Sequence, residues 1–450
     1  MTDPAAWTNW AGNQSAAAAL RAHPCGSAEI ADVLRAAARD DRRVRPVGSG
    51  HSFTGIARPD PGPGGATQIV LDRHADLVAV DPSGAEVTVQ AGMPLHRLNR
   101  LLAAAGLAMS NLGDIEQQTI SGAISTGTHG TGAAFGGLAT QVRALELVLA
   151  DGSVLPCSAG QNPDVFTAAR VGLGALGVIS TVTLAVEPLF ALRAQEGPMP
   201  LAEILAQFDE LTAGTDHVEF YWFPHTRMTS VKRNTRLPLT DGLTPLPRWR
   251  EWWDDEFLAN TVFGACVRLG RRVPPAGPPI SRIAARALGA RTFTDVSHRV
   301  FTSPRRVRFV EMEYAVPRPA LLDVLREVVA AVEASDLRIA FPVEVRVAAA
   351  DDITLSTAGG RDSGYIAVHL PAGSPLEDRR RYFGLVEGIA VEAGGRPHWG
   401  KLHSLDADVL RTRYPRFGEF VALRDRLDPH GLFRNAYLDR VLGVPPGGAP

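Results

Sequence analysis

The sequence predicts an α+β protein of two domains, and three observations carry that reading. Short strand patterns and helical patterns intermingle before residue 190 without the regular strand–helix–strand series of a parallel sheet. No Gly-x-Gly-x-x-Gly lies between a strand and a helix near the N-terminus, so a Rossmann nucleotide site has no support. At 450 residues the chain exceeds one ordinary domain, and its texture changes near residue 190.

The elements follow in order. Residues 27–41 read as a helix: Ser27 can cap it, Glu29 sits in the first turn, and Ile30, Val33, Leu34 and Ala37 recur at helical spacing. Strands are expected at Val44–Val47, Ile69–Leu71 and Val87–Gln90. A helix over Pro94–Ala105 places Leu95, Leu98, Leu101 and Leu102 on one face, with Gly106 as terminator. Val142–Leu149 and Val154–Cys157 flank Asp151-Gly152, a hairpin signal. Phe166–Leu173 looks helical and Val178–Val186 alternates as a strand. Beyond residue 190, a helix at Leu201–Leu211 precedes an aromatic strand, His217–Phe223. Residues 237–280, rich in Pro, Trp and Arg, read as a long irregular connection. Strand Arg308–Tyr314, helix Leu321–Ala334, strands Val343–Val347 and Tyr365–Leu370, and helix Arg379–Ala393 then suggest a sheet covered by helices on one face. The tail, helical over Phe417–Leu427, is too short for a domain and must pack back on the rest.

Composition narrows the class. Hydrophobic residues make up 45% and charged residues 21%, as in an ordinary globular protein. A net charge of −2 gives no case for nucleic acid. Three scattered cysteines argue against a disulfide framework or a Cys-rich zinc site, and no metal is expected. The N-terminus lacks a signal-peptide pattern and no apolar run approaches the ~20 residues of a membrane span, so a cytoplasmic protein is expected. The Trp249–Trp253 stretch is open to three readings: a lid, a dimer contact or a membrane-surface anchor. The last is least favoured, since no basic amphipathic helix shows around it.

Two glycine-rich runs point to a ligand on the backbone. In Arg45-Pro46-Val47-Gly48-Ser49-Gly50-His51-Ser52-Phe53 a short strand feeds a small-residue turn that ends on a histidine. Glycine there permits positive φ and close approach of a bulky ligand. The run Gly122–Gly132 has no side-chain bulk for a core, and consecutive amides in such a turn make an anion-binding concavity. Hydroxyls of Ser121, Ser125, Thr126 and Thr128 add donors. Further on, Glu344 and Arg346 alternate on one strand and so share a face. In an apolar strand, burying both is costly unless they serve a purpose.

Taken with Gly127-Thr128-His129-Gly130, His398-Trp399-Gly400-Lys401 and Asp428-Pro429-His430-Gly431-Leu432-Phe433-Arg434-Asn435-Ala436-Tyr437-Leu438, these runs make the chain resemble the FAD-linked oxidases of the vanillyl-alcohol-oxidase type. Within them it is similar to the aldonolactone oxidoreductase and alditol oxidase branch, almost end to end. The resemblance implies a two-domain flavoenzyme: an FAD-binding PCMH-type domain over 10–190, an α+β substrate or cap domain over 191–410, and a C-terminal segment, 411–450, returning to the FAD domain.

It also implies site roles. His51 matches the position whose imidazole bonds covalently to the flavin 8α-methyl carbon. FAD contacts are assigned to Pro46, Val47, Gly48, Ser49, Gly50, His51 and Ser52, to Gly113, Asp114 and Thr119, to Gly122, Ser125, Thr126, His129 and Gly130, and to Ile179. His129 is read as buttressing its loop. Glu344 would orient or deprotonate the reacting hydroxyl, Arg346 would bind substrate oxygens, and Lys401 would sit beside flavin N1–C2=O. Asp114 and His369 join these three as substrate contacts. Gly113 aligns beside the reactive flavin carbon, where a small residue admits O2. The implied reaction is oxidation of a small polyol or sugar lactone with O2 as acceptor. An aldono-1,4-lactone is favoured, because Gly113-Asp114-Ile115-Glu116 resembles actinobacterial lactone oxidoreductases more than alditol oxidases, and Asp114 stands where the latter carry Ser. The rivals are alditol oxidation, a dehydrogenase with a quinone or cytochrome acceptor, and a non-catalytic flavin binder.

Overall fold

The computed structural model describes residues 3–286 and 289–445. Its first half packs two sheets around one core. A four-stranded sheet runs in the order Asp3–Thr8, Ser15–Ala22, Ala66–Val70, Arg43–Val47, with the last three strands parallel. A five-stranded antiparallel sheet runs Leu77–Val80, Glu86–Gln90, Val178–Ala185, Val142–Val148, Val154–Ser158. Helix Ser27–Arg39 buries Ile30, Ala31, Leu34 and Ala37 in the core they share. The Asp151-Gly152 turn closes the expected hairpin, with Gly152 at φ +81.

The second half is built on an eight-stranded antiparallel sheet. Its order is Arg291–Val296, Ala191–Pro200, Met228–Leu237, His217–Trp222, Val343–Ala348, Ser363–Pro371, Phe309–Pro317, Arg396–Pro397. Helices Leu201–Gly214, Leu321–Ala334 and Leu376–Glu392 cover one face, and the apolar side chains of the strands meet them there. Strand alternation dictates the rest: Val343, Val345 and Val347 enter that core, so Glu344 and Arg346 emerge on the other face.

The C-terminal residues enter the core of the first half. Phe417, Phe420, Phe433, Tyr437 and Leu438 pack with Ile30, Leu34 and Val44. Asp428 explains its own motif, since its carboxylate accepts from the amides of Leu432 (2.7 Å) and Phe433 (2.8 Å). Asn435 caps helix Ala436–Leu442 and donates to Gly55 O (2.9 Å).

Three sequence expectations are corrected. Residues 237–280 are not an irregular connection: helix Arg248–Glu251 runs through a wider π-type stretch, Trp252–Val262, into helix Phe263–Arg272, and Gly277–Arg286 follows. These helices are amphipathic and carry exposed arginines, so the stated ground against a surface anchor falls. The helix expected over Phe166–Leu173 spans Pro163–Ala169, because Pro163 suits a first turn and Leu173 takes φ +56. Leu101 faces solvent rather than the core; Asn99 is buried on the helix Leu95–Ala104 instead.

Candidate active site

Two joined clefts lie where the charged face of the large sheet meets the first half. The first, a cleft open to solvent with about 890 Å³ of space, lies between Pro46–Ser52, Thr119–Thr126 and Gly172–Ile179. The second, of about 1620 Å³, lies over the sheet, and both share His51, Ser52, Gln118 and Thr126. Of the residues expected to line a cofactor, Gly113, Asp114 and His129 face the second cleft and Gly130 faces neither. The others face the first.

The first cleft has the build of a dinucleotide cradle. Its walls are main chain and small side chains, and a Cβ added to Gly48 would strike Thr119 Oγ1. Gly50 takes φ +69, a conformation that favours glycine. Arg45, fully buried, ties the wall together by donating to Gly174 O (3.0 Å), Leu173 O (3.0 Å) and Phe433 O (2.8 Å). The expected donor set is smaller than the sequence suggested. Ser121 and Thr126 spend their hydroxyl protons on Ala91 O and Gly122 O. His51 stands at the junction, stacked on Trp10 with centroids 5.3 Å apart. Its ring nitrogens have no hydrogen-bond partner among the described residues, and burial lowers its pKa to about 4. It is therefore an uncharged imidazole at neutral pH.

On the floor of the second cleft, Arg346 lies amid three carboxylates. Its Nε donates to Glu219 Oε2 (2.8 Å), and Nη2 is within ion-pair reach of Asp114 and Glu344 without hydrogen-bond geometry to either. The Tyr221 hydroxyl donates to Glu344 Oε1 (2.8 Å). Lys232 pairs with Glu219 at 3.2 Å, and Arg305, from the loop over the cleft, donates to Asp114 at 3.0 Å. Burial would raise the Asp114 carboxyl, but Arg346, Arg305 and Lys232 outweigh it and hold it well below the usual range. Burial raises Glu344, and the charges of Asp114 and Glu219 add to that against Arg346.

A second cluster stands beside the first. The turn His398-Trp399-Gly400-Lys401 is pinned by Trp399 Nε1 to Leu355 O (2.7 Å) and by Phe53 N to Gly400 O (2.6 Å). It delivers the Lys401 ammonium to Glu311 (2.6 Å) and Glu313 (2.9 Å). Burial alone would lower the Lys401 pKa; the two glutamates reverse this and hold it above the usual value. Against burial, Lys401 in turn brings Glu311 down to about 2. His369 joins through Nε2 to Glu311 (3.3 Å). His129 uses both nitrogens, on Gly130 O (2.8 Å) and Glu313 (3.1 Å), and stacks on Tyr365, the geometry of a buttress.

The structure thus brings Glu344, Arg346, Lys401, His369 and Asp114 to one cleft, with His51 at its end. Sequence reasoning missed Glu219, Tyr221, Lys232, Arg305, Glu311 and Glu313. Glu311 and Glu313 alternate on their strand as Glu344 and Arg346 do, so the signal was present.

Comparison with known proteins identifies the family. The family profile described as D-arabinono-1,4-lactone oxidase matches residues 182–441, and one described as FAD binding domain matches residues 18–158. The chain belongs to the D-arabinono-1,4-lactone oxidase family. It is an FAD-dependent oxidoreductase. It is 42% identical over 437 residues to the L-gulono-1,4-lactone dehydrogenase of Mycobacterium tuberculosis, covering 97% of this chain and 99% of that one. It is 36% identical over 440 residues to the L-gulonolactone oxidase of Bos taurus, covering 96% and 97%. A solvent-stable cholesterol oxidase shares the fold, with a TM-score of 0.80 at 20% identity over 99% of this chain and 98% of that one. Among the described residues no helix is long and apolar enough to cross a membrane.

Proposed function

We propose that this chain oxidises the hydroxyl-bearing carbon of a sugar-derived aldono-1,4-lactone, of the D-arabinono or L-gulono kind, in the cytoplasm and with O2 as acceptor. The observation that carries the reading is the set Glu344–Arg346–Tyr221 standing beside Lys401 in a cleft that opens on His51. FAD held by Pro46–Ser52, Thr119–Thr126 and Ile179 supplies the two-electron acceptor. Glu344, more basic than an exposed glutamate, takes the hydroxyl proton, and Tyr221 fixes the carboxylate that receives it. Arg346 Nη2, lacking hydrogen-bond geometry to its acidic neighbours, donates to substrate oxygens. Asp114 accepts from lactone hydroxyls at the outer side of the cleft, where Arg305 steadies it, and His369 contacts the far side. Lys401, kept protonated by Glu311 and Glu313, places a fixed positive charge where negative charge develops. The uncharged, unbonded nitrogens of His51 suit covalent attachment to the flavin. Gly113 leaves its side of the cleft open to oxygen.

The test uses purified holoprotein. L-Gulono- and D-arabinono-1,4-lactone are added anaerobically while the flavin's visible band is followed, and air is then admitted. Bleaching by a lactone and recovery in air with peroxide release support the proposal. Bleaching without recovery in air defeats the oxygen assignment, and no bleaching by either lactone defeats the substrate assignment.

A further inference from the structure

The helical segment 248–286 presents to solvent what a soluble surface ordinarily hides. Trp249, Trp252 and Trp253 are 72%, 56% and 46% exposed, and Leu269, Val273 and Ile283 are 53%, 47% and 66% exposed. The last part of the long helix is amphipathic in an unusual sense. Gly264, Val267 and Gly270 face inward, while Leu258, Val262, Leu269 and Val273 form a second apolar stripe facing outward at near-helical spacing.

Charge is sorted in the same direction. The acidic residues of this segment are turned into ion pairs with the body: Glu251 with Arg299 (3.3 Å), Asp255 with Arg291 (3.1 Å) and Glu256 with Arg306 (2.7 Å). From Phe257 to Thr294 the chain has six arginines and not one carboxylate. Arg248, Arg268, Arg272, Arg282 and Arg286 are exposed, and no ion pair joins them among the described residues. A chain of net charge −2 therefore carries a face that is both apolar and strongly basic.

We infer that this face docks on an anionic lipid surface. Indole rings and guanidinium groups both favour the headgroup level, where ring and stem rest against acyl chains and the polar ends meet water and phosphate. Unpaired arginines add attraction to acidic lipids. A second copy of the chain fits the face poorly, because a two-fold interface would bring like-charged arginines together. The docked face adjoins the rim of the second cleft. Phe263 lines that cleft and packs edge-on against Phe341 at 5.1 Å, and Asn260 bonds to Pro304 O (3.0 Å) and Arg306 N (2.8 Å) in the loop over it. The anchor is peripheral, lying in the interface plane.

The test is co-sedimentation of the FAD-loaded full chain with vesicles at low salt. One preparation is phosphatidylcholine alone, and the other equal parts phosphatidylcholine and phosphatidylglycerol. Binding is expected to the anionic vesicles only and to fall as salt rises. Each arginine contributes about fivefold, so R268Q/R272Q/R282Q binds about a hundredfold more weakly. W249S/W252S, changed at exposed positions outside both clefts, also loses binding while keeping its flavin and its turnover. Equal pelleting with neutral vesicles, no pelleting with either, or indifference to both variants overturns the inference. So does a dimer in light scattering that the tryptophan variant abolishes, since the face would then belong to a second copy.

Discussion

Replacing Arg346 by methionine tests the electrostatic design of the cleft directly. The side chain is 6% exposed and stands among the carboxylates of Asp114, Glu219 and Glu344, so methionine keeps most of the volume and removes the charge. Arg305 still covers Asp114 and Lys232 still covers Glu219, which leaves Glu344 with the Tyr221 hydroxyl alone. Breaking a buried pair costs about 3–5 kcal/mol, and the two remaining cations argue for the low end. For a folding unit of this size that is a fall of about 6–12 °C in Tm. The sign of its pH dependence follows from Glu344. Burial already raises its pKa in the folded chain, and loss of Arg346 raises it further. A carboxyl raised in the folded state weakens folding at pH above its unfolded value, and the penalty is relieved as pH falls through the folded pKa. The Tm deficit of Arg346→Met is therefore largest near neutrality and shrinks as pH falls through the raised Glu344 pKa toward the ordinary glutamate range. Melts of both proteins at matched scan rate measure it. A deficit that does not shrink on acidification, or none near neutrality, would refute the reasoning.

Four further outcomes are expected. Glu344→Gln lowers kcat/KM by about 10²–10⁴; the wild-type profile falls on acidification through a pKa above the ordinary glutamate value, and the variant loses that limb in steady-state assays. Lys401→Met leaves Glu311 and Glu313 without their shared cation and slows lactone-driven flavin reduction by about 10²–10³ while flavin content, read by absorbance, stays normal. Gly113→Ala puts a Cβ 3.2 Å from His129 O and 3.3 Å from Thr128 Cγ2; stopped-flow kinetics show slower reoxidation by air with reduction by lactone unchanged. Acid precipitation of the wild type leaves yellow flavin in the pellet, and His51→Ala releases it to the supernatant.

How legible the site was depended on whether its chemistry was local. Glu344 and Arg346 stand out because charge alternates with valine on one strand, and Gly48–His51 because the turn is compact. Glu311 and Glu313 show the same alternation, but the partners of Glu311 come only through register. It lies opposite His369 across the ladder, and the turn at Lys401 reaches it from 90 residues away. Nothing within a short window encodes that meeting. Arg305 and Asp114 are joined across 191 positions for the same reason. Segment 237–280 was misread because its prolines look like breakers. Pro245 and Pro247 precede the long helix and Pro274, Pro275, Pro278 and Pro279 follow it, so they bound the helices rather than interrupt them. Strands such as Ala191–Pro200 and Met228–Leu237 carry weak patterns, and their neighbours in the sheet define them.

Charge balance on the sheet then selects the proton acceptor. Five carboxylates make up the two ion-pair clusters at the cleft, those of Asp114, Glu219, Glu311, Glu313 and Glu344, of which Asp114, Glu311 and Glu344 line it. Four fixed cations answer them: Arg346, Lys232, Arg305 and Lys401. His398 does not alter the sum, because burial lowers its pKa to about 3. One negative charge is in excess, and the surroundings decide where it is felt. Against burial, cations hold Asp114, Glu311 and Glu313 below the ordinary range, whereas Glu344 is raised. Glu344 is thus the carboxylate whose protonation brings the buried set to neutrality. Burial, which makes an unbalanced charge costly, supplies the drive for Glu344 to take a proton from a bound hydroxyl.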